Sequence, residues 1–363
     1  MTTRTPLKAA IGFGGQFTSL AGGYWSGPDK WPVRLLTGVL VLLTMAQVFV
    51  PVMINLWSQR MFDALEQRAT DRLPVMVAAA CGIIAFSVAV TVVHLKVKRR
   101  LQLGWRAWLT QKLLGEWLKD AGESRLSDLP GDYDNPDGRI AEDVRIVTEL
   151  AIDLCHSLIY CSLLLISFAN ILWRLSGAAE VSLGGVTLVV PGYLLPIALL
   201  FAAVGTTVAI QVGHPLVRAM ERRQGLEADF RFGLARIREN ACSIAQHHGE
   251  GAERDRMTGL FGGVRQGWNR QTDALVNVLA FGASYTVLST AFPILVVAPS
   301  YIAGTITLGV LMQTVQAFQQ TVAALSWPVD NLANVAQWKA SVVRVLGLED
   351  ALHRLGHPSG NAA

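Results

Sequence analysis

The chain has 363 residues, of which 52% are hydrophobic and only 16% charged. Soluble proteins carry about 25% charged residues, so a water-soluble globular domain is excluded. The net charge of +4 is modest, and its distribution follows apolar stretches rather than forming a nucleic-acid-binding face.

The start, MTTRTPLKAA, lacks a cleavable signal-peptide pattern. Phe17 to Pro32 then brings Phe17, Leu20, Tyr24, Trp25 and Trp31 together ahead of the first apolar run. Aromatics beside a membrane entry point mark the interface, so residues 1–32 are expected to form an amphipathic elbow on the inner leaflet. The alternative is a disordered leader, given the five glycines between Gly12 and Gly23.

Six long apolar stretches begin near Val33, Val75, Ile146, Val189, Leu275 and Leu308. Each supplies the roughly twenty residues a helix needs to cross a ~30 Å hydrocarbon layer. Lipid offers no partners to backbone polar groups, so these spans must be helices. The expected class is an all-α membrane protein of six transmembrane helices.

Charge sets the expected orientation. The connection from Lys96 to Arg145 carries ten Lys and Arg residues, and that from Arg218 to Arg270 carries ten more. The other connections are poor in them, so both basic connections and both termini are expected in the cytoplasm. Arg99 to Lys119 and Arg218 to Asn240 keep helical spacing, which extends the second to fifth spans as rods about 30 Å beyond the bilayer. Pro130, Gly131, Asn135 and Pro136 break the first rod pair at its tip, and Gly249, Gly251, Gly262 and Gly263 interrupt the second. Val181 to Val190 reads as a short outer β-hairpin.

The third span carries Arg145, Glu149, Asp153, His156 and Tyr160 at spacings of four, four, three and four, on one helical face. An ionisable group at mid-membrane normally faces a cavity or a partner. Three readings stay open: a hydrated transport lining, a proton relay with His156 titrating nearest neutral pH, or structural pairing of Arg145 with Glu149. Gln313, Gln316 and Gln320 form a stripe on the sixth span, and Asp273 with Asn277 on the fifth. These either line an aqueous path or hydrogen-bond between helices.

No catalytic constellation or metal site is expected. Cys81, Cys155, Cys161 and Cys242 show no C-x-x-C spacing. His247, His248, Glu250 and Glu253 read as solvated residues at a turn rather than zinc ligands. Gly12 to Gly15 follows no strand, which argues against a dinucleotide loop.

Three segments carry a family resemblance: YDNPDGRIAEDVRIVT (Tyr133 to Thr148), EADFRFGLARIRENACSIAQHHGEGAE (Glu227 to Glu253) and LGVLMQTVQAFQQTVAALSWPVD (Leu308 to Asp330). They resemble the transmembrane half of bacterial ABC transporters of the SbmA/BacA-like group, importers of peptides, bleomycin and vitamin B12. They are more distantly similar to peroxisomal fatty-acyl half-transporters. The pattern departs at Gly138, where the family usually has Gln, and at His247 and His248, where it has an aromatic and an Arg.

The resemblance implies an exporter-type (type 1) transmembrane domain over residues 33–346, a homodimer, and a bacterial inner-membrane location. Residues 347–363 then begin a linker. It also implies that the distal turns touch ATPase domains, through Tyr133, Asn135, Pro136, Asp137, Arg139, Glu142 and Asp143 in the first. In the second, Arg238, Glu239 and Asn240 would make the contact. No G-x-x-x-x-G-K-[ST] occurs in the sequence, so ATP and Mg²⁺ are expected on a partner ATPase domain of another polypeptide. The alternative is the proton-driven branch that works without an ATPase.

Overall fold

The computed structural model describes residues 12–28, 30–119, 135–183 and 186–356. Ten helices and one hairpin are labelled here: α1 (Phe13–Ser26), α2 (Lys30–Glu66), α3 (Leu73–Trp117), α4 (Val144–Leu175), β1 (Ala178–Leu183), β2 (Val186–Pro191), α5 (Leu194–Glu239), α6 (Ala241–Gln246), α7 (Glu250–Ile302), α8 (Leu308–Leu325), α9 (Trp327–Asp330) and α10 (Leu332–Gly356). A 3₁₀ turn, Thr70–Arg72, precedes α3, and a π turn, Arg139–Asp143, runs into α4.

Among the described residues five helical segments are long and apolar enough to cross a membrane: Lys30–Glu66, Thr70–Trp117, Pro136–Leu175, Leu194–Glu239 and Glu250–Ile302. The sixth expected span, α8, is a continuous 18-residue helix but is not among the five. Gln313, Gln316, Gln319 and Gln320 lower its apolar content. The stretches expected to form rods are helical, but Gly251, Gly262 and Gly263 lie inside continuous α7 instead of interrupting it. A glycine costs a long packed helix only about 1 kcal/mol, and the break falls at His247–Gly249. At ~1.5 Å per residue, the 53 residues of α7 extend about 80 Å, against ~30 Å of hydrocarbon.

The chain divides into two compact units, Met1–Ile171 with Thr307–Ala363, and Leu172–Ile306. In the first unit α1, α2, α3, the start of α4 and α10 pack around two apolar cores, and α8 packs against α2. One joins Leu109 and Leu113 of α3 to Val144 and Val147 of α4 and to Val345 and Leu348 of α10. The other joins Val33 and Leu40 to Leu101, Trp105 and Ile152.

Helix α1 forms where an interfacial elbow is expected, but its aromatics turn onto protein. Phe17 lies 4.9 Å from Trp338 and 6.2 Å from Trp105, and Trp25 lies 5.1 Å from Trp105, ring centroid to centroid. Glycine makes this possible. Trp108 covers Gly23 and the Tyr24 hydroxyl covers Gly104, leaving no room for a Cβ at either position. Leu20 is consequently 1% exposed.

The second unit is built from α5 and α7 side by side, with the hairpin before α5 and α6 at the turn between them. The strands pair antiparallel from Ala178↔Pro191 to Leu183↔Val186. Most large side chains on α5 and α7 remain exposed, including Phe232, Leu279, Val287 and Leu295.

Candidate functional site

The polar face of α4 meets a matching face on α3. His94, Lys98 and Gln102 recur every four residues, so one stripe of α3 points at α4. Lys98 Nζ lies 3.0 Å from Asp153 Oδ1. Gln102 Nε2 donates to the same Oδ1 at 2.9 Å and to the Glu149 carbonyl at 3.0 Å. Arg99 Nη1 donates to Gln102 Oε1 at 3.3 Å. The carboxylate of Asp153 is thus neutralised by a cation from the next helix, which is how an apolar span tolerates it.

One turn further along α4, His156 sits between two helices. Its Nε2 is 3.3 Å from Gln47 Oε1 of α2, and its ring centroid is 4.3 Å from that of His94. Tyr160 stacks beyond it at 6.4 Å. His94 is 5% exposed, and its Nε2 has no hydrogen-bond partner among the described residues. Glu149 pairs with Arg145 at 3.5 Å, and Arg145 also approaches Glu142 at 3.9 Å. The residues of the α4 stripe therefore belong to one array with α3 and α2. His94, Lys98, Gln102 and Gln47 complete it.

The glutamine stripe of α8 faces α2. Asn55 Nδ2 donates to the Gln313 carbonyl at 2.9 Å, and Gln316 Nε2 donates to Ser58 Oγ at 2.9 Å. Asn55, Ser58 and Gln313 are all buried. Asp63 and Glu66 accept from the backbone N–H groups of Gly309 and Leu308 at 3.1 and 2.9 Å, placing negative charge at the α8 N-terminus. Within this unit Gln316 thus bonds to α2 through its side chain and Gln313 through its backbone carbonyl, the Gln313 Oε1 having no partner among the described residues, while Gln320 is half-buried. Asp273 and Asn277 of α7 lie in the second unit and are exposed.

The first distal-turn set splits. Asn135 takes a left-handed conformation (φ 60°) and Pro136 opens the helical turn. Asp137 and Glu142 are exposed, but Arg139 and Asp143 are buried. Asp143 accepts from Arg344 Nε at 2.8 Å, Arg344 Nη2 at 2.5 Å and Ser341 Oγ at 2.9 Å. Hydrogen bonding to Asp143 pushes the Arg344 guanidinium above its ordinary value. Arg139 Nη1 donates to the Arg344 carbonyl at 3.4 Å, and Lys112 pairs with Glu349 at 2.6 Å. The π turn is therefore strapped to α10. Tyr133 lies outside the described residues. In the second unit Arg238 and Glu239 end α5 and Asn240 caps it, all three exposed, with Asn240 Nδ2 donating to the Arg236 carbonyl at 2.8 Å.

Long apolar helices carrying paired charges define a polytopic membrane protein. Comparison with known proteins gives the family. Residues 26–302 match the model of the ABC transporter transmembrane region 2. The chain belongs to that family.

It is 32% identical over 72% of its length to an uncharacterized ABC transporter ATP-binding protein of Synechocystis, covering 38% of that protein. It is 30% identical over 93% of its length to the chloroplastic ABC transporter D family member 2 of Arabidopsis thaliana, covering 46%. It is 27% identical over 89% to the inner membrane ABC transporter ATP-binding protein YddA of Escherichia coli, covering 58%. The chain thus spans about half the length of these relatives, or less. It is an ABC transporter membrane region.

Proposed function

We propose that this chain is the permease component of an ABC transporter that moves peptides or other hydrophilic solutes across a bacterial inner membrane. In this reading it works as a homodimer of the exporter type, with six spans per chain including α8. Both termini face the cytoplasm, and an ATPase domain on another polypeptide supplies ATP hydrolysis. Two of the relatives named above are called ATP-binding proteins, and this chain aligns with only part of each. That partial match supports an ATP-binding part outside the aligned region, and this carries the proposal.

Asn135, Asp137, Glu142, Arg238, Glu239 and Asn240 are the exposed groups for motor contact. Glu149, Asp153, His156, Tyr160 and Gln320 are the groups proposed as transport lining in the first unit, and Asp273 and Asn277 those in the second. Vesicles loaded with ATP and the cognate ATPase domain should import labelled peptide, vanadate should stop it, and a protonophore should not. An impermeant thiol reagent should label Gln67→Cys but not Gly251→Cys from outside intact cells.

A second reading, a proton-driven SbmA/BacA-like importer, is favoured by one observation. His94, His156, Lys98 and Asp153 form a contiguous titratable array within the helices. Uptake that persists without ATP and collapses with a protonophore would replace the first reading with this one.

A further inference from the structure

On α8 the expected polar face is largely spent on α2, since Gln313 is buried and Gln316 bonds to Ser58. A different polar stripe follows where that helix ends. Pro328 has no N–H to give the Ala324 carbonyl, and the helix breaks there into α8, α9 and α10. Trp327 Nε1 donates to Ser157 Oγ of α4 at 3.0 Å, which fastens the break to α4. The Asn331 N–H bonds to the Trp327 carbonyl at 3.1 Å, and the Val335 N–H to the Asn331 carbonyl at 2.9 Å. Helical register therefore runs on through Asn331. Asp330, Asn334 and Gln337, spaced by four and three, share one face.

All three are exposed, and no ion pair or hydrogen bond holds their side chains among the described residues. Asp330 differs in this from four other carboxylates of the same unit. Asp153 lies against Lys98, Glu149 against Arg145, Asp143 against Arg344 and Glu349 against Lys112. Those charges are already answered by protein. That of Asp330 is not.

Position gives the stripe a use. At ~1.5 Å per residue, Asp330 lies about 33 Å along the chain from Leu308, against a ~30 Å hydrocarbon layer. A span that starts at Leu308 thus emerges into water where the stripe begins. We propose that Asp330, Asn334 and Gln337 line the mouth of the transport path, and that Asp330 selects solutes carrying a positive group. This rests on the permease reading with α8 as a span. An unanswered carboxylate at a water-filled mouth raises the local concentration of cations. The amides of Asn334 and Gln337 both donate and accept, as peptide groups require. From Asp330 to Gln337 the face runs about 10 Å, the length of roughly three residues of extended peptide.

The test uses the full chain in nanodiscs, with its native cysteines removed and Asn334→Cys introduced. Its thiol is reacted with a cationic reagent, trimethylammonioethyl methanethiosulfonate, and an anionic one, sulfonatoethyl methanethiosulfonate. Each rate is divided by that of the same reagent with free cysteine. The cationic reagent should be favoured about tenfold, and about 0.5 M salt should cut this preference by at least half. Asp330→Asn should remove the preference, and Asp330→Glu should keep it. A preference unchanged by Asp330→Asn would overturn the proposal, and so would a thiol that neither reagent reaches. If Asp330→Asn fails to fold, the parent decides, because a ratio near one or insensitive to salt overturns the proposal as well.

Uptake separates this site from the permease reading. In vesicles supplied with ATP and the cognate ATPase domain, a lysine-containing tripeptide should show a KM about fivefold or more below that of its glutamate counterpart. Asp330→Asn should erase the difference. Equal KM values for the two peptides in the parent would overturn the proposal while leaving the permease standing. If neither peptide is carried but the thiol keeps its cation preference, the permease reading fails and the cation-selective face stands.

Discussion

The two units of this chain solve the same problem, keeping long helices in place, by opposite means. The first unit buries Leu109, Val144, Val147, Phe168 and Phe318 completely and ties its helices with inter-helix polar bonds. The second lays α5 along α7 and leaves Phe232 72%, Val287 68% and Leu295 71% exposed. Small residues do much of the work there. Tyr285 covers Gly205, and Met257 and Leu260 cover Gly233, so the two rods approach closely at these points. One inter-helix polar tie there is Arg223 with Gln271 at 3.0 Å. The first unit holds itself together from within. The second leaves its apolar faces for lipid or another surface.

This contrast ranks substitutions. The largest effect is expected in the core of the first unit. Leu109 is fully buried among α3, α4 and α10 residues, so Leu109→Ala should cost about 2–5 kcal/mol. Phe232→Ala in the second unit should change stability by roughly 0.5 kcal/mol or less. Thermal unfolding of the detergent-solubilised chain reads both. Equal shifts would break the comparison.

Next comes the strap between the π turn and α10. The Asp143 side chain is 8% exposed and that of Arg344 48%. Removing the buried partner leaves an arginine that can reach water, whereas removing the arginine strands a buried carboxylate. Asp143→Ala should therefore cost about 1–3 kcal/mol, the range for a hydrogen bond to a charged group. Arg344→Ala should cost more. The order of the two melting temperatures is the measurement. A reversed order would mean that the carboxylate finds water when its partner leaves.

The α3–α4 array should matter more to transport than to folding. Lys98 and Asp153 are 19% and 38% exposed, so their pairing is screened, and Asp153→Asn should cost only about 1 kcal/mol. Uptake should fall about tenfold, with insertion into the membrane unchanged. Lys98→Gln in the Asp153→Asn background should restore stability, because no unpaired charge is left. If the double variant also transports normally, the pair is structural.

Much of this was legible beforehand, and the failures are instructive. Unbroken helical spacing through Arg99–Lys119 and Arg218–Asn240 announced the rods, and VSLGGVTLVV announced the hairpin. The α4 stripe could be read by its spacing, but its partners could not. Lys98 sits inside the basic run from Lys96 to Arg100, which reads as a topology signal, and this masks the ladder His94–Lys98–Gln102. Asn55 and Ser58 are isolated polar residues in a long apolar helix, and nothing local says that they meet Gln313 and Gln316 some 258 positions away. The aromatics of α1 fit an interfacial anchor equally well until Trp105 and Trp338 are brought against them.

The smallest expected effect lies in the second unit, and it tests the contrast from the other side. Arg223 stacks over Trp268 with its Cζ 4.4 Å from the ring centroid, and pairs with Glu227 at 2.9 Å. Trp268 is 54% exposed, so the stack contributes about 0.5–1 kcal/mol, as an exposed cation–π contact does. Arg223→Ala should lower the melting temperature by only a degree or two. Its signature should instead be local. Amide exchange around residues 223–228 and 264–271 should accelerate while the α3–α4–α10 region stays protected. Arg223→Lys keeps the charge but loses the planar stack, so it should behave like the alanine variant. A fall in stability matching that of Arg344→Ala would show that the second unit is held by its own polar ties after all, and the division of labour between the units would have to be abandoned.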